Sequence, residues 1–263
     1  TTEIYTLSLH DALPISPQLY PGGGAILVTT ADPSTDPSAE FKMSYGRFNA
    51  LSMQGYATFG LSDAIAMDVE GLYRHGTGFQ KNLLNGDDRI GEYENWSVRT
   101  GVKAQLSDNI SLLLRYTHAE GDDPTNILTN AYVDRDGDAG FLALVSAAGR
   151  TIYGKSDTVG QPLIYFYSPT GTYATKPGQL ALNGPTSFKT NSDTVQARLE
   201  ADLGFADLTS YTQYRHDLSP SYADLDSTGL PLFNILIDVE DKSFSQEFLL
   251  TSKPGSALQW TAG

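Results

Sequence analysis

Cysteine is absent from all 263 residues, which excludes disulfide staples, thiolate metal centres and cysteine nucleophiles. Basic residues are scarce: 17 Lys and Arg stand against 31 Asp and Glu, a formal charge of −14. That balance argues against a nucleic-acid binder, which needs clustered cations to displace counterions from phosphate. No stretch approaches the roughly 18 consecutive apolar residues of a membrane-crossing helix. Charge of either sign is sparse at 18% of residues. What is plentiful is Gly (25), Tyr (15) and Phe (11), a composition suited to pleated structure rather than to an acidic disordered chain.

The first sixteen residues, TTEIYTLSLHDALPIS, resemble one reading frame of a sequencing-library adapter. Thr1–Ser16 are therefore expected to be an artefact outside the fold. Ser8, His10 and Asp11 imitate hydrolase parts, but catalytic triads are assembled from distant segments, and no catalytic role is assigned to them.

From Ala39 onward, apolar and polar residues alternate with period two. Phe41, Met43 and Tyr45 oppose Lys42 and Ser44; Ile65, Met67, Val69 and Tyr73 oppose Asp68, Glu70 and Arg74. Val98, Val102 and Ala104 oppose Arg99 and Lys103, and Ile110, Leu112 and Leu114 oppose Ser111 and Arg115, with Leu113 out of pattern. Val195, Ala197, Leu199 and Ala201 oppose Gln196, Arg198, Glu200 and Asp202. A strand sends successive side chains to opposite faces, so each segment has one apolar and one polar face. The connections alternate as well. Tight turns at 61–64, 107–109, 204–205 and 254–257 separate long polar stretches near 75–94, 120–190 and 217–241. An up-and-down sheet with one compact and one elaborated end reads this way. Strands of about nine to twelve residues with two unlike faces fit an outer-membrane β-barrel, apolar side to lipid and polar side to lumen. The fold class expected is all-β, an antiparallel up-and-down transmembrane β-barrel fragment of about nine strands with a short plug remnant. A soluble β-sandwich alternates similarly, but its strands are shorter and it has little place for a connection like 120–190.

The stretch Leu19–Pro33, LYPGGGAILVTTADP, resembles the end of the plug domain in TonB-dependent outer-membrane receptors. Gly23, Gly24, Ala25 and Ile26 match the plug closure, and Val28, Thr29 and Thr30 continue its strand. Ser44–Phe79 is similar to that family's opening barrel strands, and Ser245–Gly263 to a hairpin further round. Tyr20-Pro21-Gly22 departs from the family's usual sequence before the glycine pair, beside the adapter-like segment. The resemblance implies a plug remnant over 17–33, a linker over 34–38 and barrel over 39–263, a fragment with about nine of the roughly 22 strands such transporters carry. It also implies a Gram-negative outer membrane, with lipid and the TonB complex as partners. Capture of a scarce ligand is implied too, most often a ferric siderophore, although glycans and cobalamin remain open. A passive porin-like channel and a soluble carbohydrate-binding or hydrolytic β protein are the alternatives.

For ligand capture, the Tyr-rich part of the longest connection (Tyr132, Tyr153, Tyr165, Phe166, Tyr167, Tyr173) offers broad apolar contact with hydrogen-bonding tips; packing within the loop would use the same residues. Asp68, Glu70, Arg99, Lys103, Arg115, Arg198 and Glu200 are expected to face the lumen and pair across strands rather than catalyse. No cofactor and no metal site is expected. Asp134, Asp136 and Asp138 are spaced like the start of a calcium loop, but Ala139 and Val145 stand where Gly and Glu are required, which leaves a solvated acidic loop. Gly22–Gly24 lacks the Lys-Ser/Thr of a phosphate loop. His75, His118 and His216 are expected to hydrogen-bond at the barrel rim.

Overall fold

A computed structural model describes residues 30–124, 142–145, 151–154, 172, 178–225, 229–231 and 233–263. Nine strands form one meander: β1 (Ser38–Gly46), β2 (Ala50–Ser62), β3 (Ile65–Gly76), β4 (Tyr93–Ser107), β5 (Ile110–Asp122), β6 (Ser187–Asp202), β7 (Ala206–Leu218), β8 (Glu240–Ser252) and β9 (Thr261–Ala262). Each pairs antiparallel with the next in chain order. The fold is the all-β, up-and-down wall of a β-barrel, open between β1 and β9. Several strands exceed the expected nine to twelve residues; β4 has 15 and β6 has 16. Their ends continue beyond the alternating segments into polar sequence, where backbone pairing is joined by cross-strand side-chain hydrogen bonds such as Tyr73 to Glu94 and Asn191 to Glu120.

Register makes the two faces coherent across the whole wall. Thr58, Asp68, Gly101, Arg115, Gln196, Gln213 and Ser245 are successive partners on β2 to β8. One residue along, the partners are Val69, Thr100, Tyr116, Val195, Tyr214 and Phe244. Directly paired residues lie on the same face, so one row is polar and its neighbour mostly apolar. The apolar face is bare: Phe41 is 67% exposed, Val195 51% and Phe244 69%. Among the described residues no second sheet packs across either face. Only seven apolar residues among them are buried, four of them alanines. A soluble sandwich would bury this face against a second sheet; hydrocarbon is the environment that suits it bare.

The two ends differ. Residues 63–64, 108–109 and 203–205 close short turns, the last through Gly204 at φ +83°. At the opposite end run the connections 77–92, 123–186 and 219–239. The hairpin at 47–49 is tight there, with Phe48 and Asn49 left-handed at φ +62° and +51°. A bulky residue rarely adopts that conformation. Thr77 holds it, donating both its backbone N–H and its hydroxyl to Phe48 O at 2.9 Å.

The long connections are more structured than their polar sequences imply. Lys81–Asn82 pairs in parallel with Gln179–Leu180, and Ser221–Asp224 pairs with both β6 and Asn234–Ile237. Leu142–Val145 and Thr151–Gly154 form a separate hairpin. Pieces of two to four residues are too short to show a period, so alternation could not reveal them.

In the full-length protein, Leu114→Arg, on the bare face, is expected to cost about 2–4 kcal/mol of membrane-inserted stability. The polar-face change Gln196→Lys is expected to have little effect. Urea unfolding in lipid vesicles measures both.

Candidate functional site: a strap on the polar face and a cleft at the loop end

Ahead of β1 the chain runs as a strap, residues 30–36, over the polar face, bending at Thr35 and Asp36. Asp32 is its centre. Its carboxylate is ion-paired with Lys103 on β4 at 2.8 Å, hydrogen-bonded by Arg198 on β6, and 3.9 Å from Arg115 on β5. Arg115 also donates to Thr30 Oγ1 at 2.7 Å and to the Ala31 carbonyl. Further along, the Ser34 N–H donates to Thr58 Oγ1 at 2.8 Å, and that hydroxyl lies 3.1 Å from Ser34 O and 3.0 Å from Met67 O. The Thr35 backbone lies so close to Gly60 that a Cβ there would meet Thr35 O at 3.0 Å. Three cations from three adjacent strands thus converge on one carboxylate.

The seat beneath the strap is built on a buried charge. The Asp68 side chain is only 1% exposed; neither oxygen accepts a hydrogen bond, and its counter-ion is Arg115 at 3.6 Å. Gly101 stands between them in the row. A Cβ on it would come within 2.6 Å of Asp68 Oδ1 and 3.3 Å of Arg115 Cγ, so glycine leaves the space the pair occupies. Leu113, the residue out of pattern, lies opposite Lys103 on one side and Arg198 on the other, and is buried at 5% exposure. It is an apolar floor between two cations whose aliphatic stems suit such a neighbour. Arg99 and Glu70 pair at 2.5 Å, with Gln54 donating to Glu70. Arg198 Nε lies 3.3 Å from Glu200, which also accepts from Ser111.

All seven polar-face candidates therefore lie on the strap's side of the wall, in ion pairs. Periodicity missed Asp32, Thr58 and Gly101. Asp32 lies before the first strand, and a hydroxyl or a glycine in an alternating run carries no signal of its own. Arg74 shares the face, and Asp202 pairs instead with Lys253 at 2.7 Å beside a short turn.

Burial opposes the charge on Asp32, but the Lys103 hydrogen bond and the Arg198 and Lys103 charges outweigh it, holding its carboxyl below the ordinary value. A carboxyl so depressed stabilises the docked strap above the usual aspartate range and loses that contribution as pH falls through its lowered value.

At the elaborated end the connections pack on one another. The buried Asn82 carboxamide donates to Leu182 O at 2.9 Å and accepts from Leu182 N–H at 3.1 Å. Leu180, Ala181 and Leu182 are buried around it. Buried Asp224 accepts from the Asn183 N–H at 2.9 Å. These contacts frame an open cleft of about 630 Å³, lined among others by Asn82, Asp87, Arg89, Glu94, Asp122 and Asn183. On the bare face near this end, His118 meets Asp193 and His216 meets Glu240, each at 2.9 Å, whereas buried His75 Nδ1 has no partner. Tyr132, Tyr165, Phe166, Tyr167, Tyr173 and Asp134–Asp138 lie outside the described residues, as do Thr1–Ser16 and Gly22–Ile26; Tyr153 is placed by its backbone only, opposite Ala143. Among the described residues no group of His, Asp and Glu is arranged to hold a metal.

No protein-family model matches the chain, and no curated protein matches it. Among the solved structures that share its fold are two receptors. The crystal structure of the ferric-catecholate import receptor Fiu from E. coli K12, in an open form, superposes with a TM-score of 0.56 at 15% identity. The siderophore receptor PiuA from Acinetobacter baumannii superposes with a TM-score of 0.60, also at 15% identity. Each match covers 89% of this chain but only 34% and 30% of the respective receptor, so the chain spans about a third of their length.

Arg115→Met is expected to destabilise the full-length protein by about 3–5 kcal/mol, because it strands the Asp68 carboxylate without a counter-ion. Arg115→Met with Asp68→Asn is expected to cost less than Arg115→Met alone, as thermal unfolding in detergent will register. Ala31 is exposed beside Asp32 and can carry a probe of the strap. A nitroxide on Ala31→Cys is expected to stay immobile at neutral pH and gain mobility below about pH 4, with that dependence lost in Asp32→Asn.

Proposed function

We propose that this chain forms the opening arc of the barrel wall, with the end of the plug, in a TonB-dependent receptor of a Gram-negative outer membrane. Its role is energy-coupled uptake of a scarce ligand, foremost a ferric siderophore. One observation carries the reading: a bare apolar face backs a polar face on which the preceding chain is strapped by charge. A passive pore has no need of such a strap, whereas a plugged transporter requires the plug to join the wall from inside. The fold shared with Fiu and PiuA supports the same reading. So does the partition of one compact and one elaborated end, which suits short periplasmic turns and long extracellular loops.

On this reading, residues 17–33 end the plug, 34–38 link it and 39–263 build the wall, with the polar face lining the lumen. Transport, not catalysis, is the activity. The ligand meets the loop end first, where the cleft beside Asn82 lies; the tyrosines of the longest connection are the further contacts this reading assigns to it. Coupling to the TonB complex works through chain ahead of the strap.

The test is uptake. The full-length protein, expressed in bacteria stripped of their own siderophore receptors, is expected to restore accumulation of radio-iron from a ferric catecholate or a ferric hydroxamate. A protonophore or loss of TonB is expected to abolish it. Uptake that persists in de-energised cells would instead indicate a passive channel.

A further inference from the structure

We infer that the strap is a permanent mooring: Thr30–Thr35 stays docked on the arc β2 to β6 throughout transport, and the ligand passes along the rest of the lumen. The inference rests on the transport reading above and adds where in the lumen the plug cannot move. Four observations carry it. Asp32 is held by cations from three strands at once, so no single rearrangement of one side chain frees it. Its neighbours Thr30 and Ala31 are held by the same Arg115, which is itself fixed from behind by buried Asp68. Ser34 meets Thr58 through both its N–H and its carbonyl, a backbone clamp independent of charge. Finally, Gly101 removes a side chain that would obstruct the Asp68–Arg115 pair on which the strap is seated.

Detachment would be costly for a specific reason. Arg99, Lys103, Arg115 and Arg198 are matched on this face by Asp32, Asp68, Glu70 and Glu200. Lifting the strap removes one of those four carboxylates and leaves Lys103 and Arg198 without their shared partner in a partly desolvated wall. These pairs are partly buried, and removing one partner of such a pair leaves the other charge desolvated without compensation. A plug pulled from its far end therefore yields elsewhere before this contact does, and the moored arc stays covered.

The geometry supplies its own test. The 263 residues contain no cysteine, so introduced thiols have no competitors within them. A Cβ placed on Gly60 would lie 3.2 Å from Thr35 Cβ, near the roughly 3.5–4.5 Å of a disulfide. The full-length Thr35→Cys/Gly60→Cys variant is oxidised in cells, and uptake of radio-iron from a ferric catecholate is compared before and after reduction. Equal uptake, within about two-fold, is expected for a strap that never leaves. Uptake lost on oxidation and regained on reduction overturns the mooring while leaving the transport reading intact. If neither wild type nor variant accumulates iron in an energy-dependent way, the transport reading fails instead. The mooring is then decided by maleimide labelling of Ser34→Cys alone. Slow labelling at one rate in energised and protonophore-treated cells is expected, and labelling accelerated by energisation overturns it.

Discussion

A peptide group in hydrocarbon has no water to bond, and this constraint shapes every other feature of the wall. It requires long strands whose backbone groups are consumed by their neighbours, and antiparallel pairing in chain order achieves that from β1 to β9. Once the ladder is continuous, the pleat assigns side chains to faces without further choice. The row through Asp68, Gly101 and Arg115 must share a face, and the row through Val69, Tyr116 and Val195 must share the other. A slip of one residue in any strand would carry charge into lipid and apolar side chains into the lumen. Register is therefore held by the solvent on each side as much as by the hydrogen bonds themselves.

Charge on the polar face poses a different problem, since groups that are partly desolvated there need partners. Pairing within the wall goes part of the way: Arg99 with Glu70, Arg198 with Glu200, Arg115 with Asp68. Asp32 completes the balance from outside the sheet. The strap is thus a structural counter-ion as well as a connection, and its position follows from where three cations happen to converge. Glycine at 101 and leucine at 113 serve the same seat without charge, one by leaving room and the other by flooring the gap between Lys103 and Arg198.

The loop end is organised by different means. No alternating face exists there, and order comes from single buried polar groups that meet several backbone partners at once. Asn82 and Asp224 each tie one connection to another, with Leu180–Leu182 as the only apolar centre among the described residues of that region. An arrangement of this kind tolerates changes in most exposed loop residues.

Much of the wall was legible from sequence because period-two alternation is a local property: each strand declares its two faces without reference to any other. Asp68, Glu70, Arg99, Lys103, Arg115, Arg198 and Glu200 were placed on one face for that reason. Their partners were not legible. Which carboxylate meets which guanidinium depends on register between strands, and in the case of Glu200 and Ser111 on residues far apart in the chain. Asp32, an acid in an irregular segment, became the centre of the site only when the strap was laid over three strands. Sequence by itself determined that this chain makes a two-faced antiparallel wall, because the solvent on each face is written into alternate residues. Only the tertiary structure decided where the strap is held and how the loop end closes, because both depend on contacts between residues whose separation in sequence carries no period.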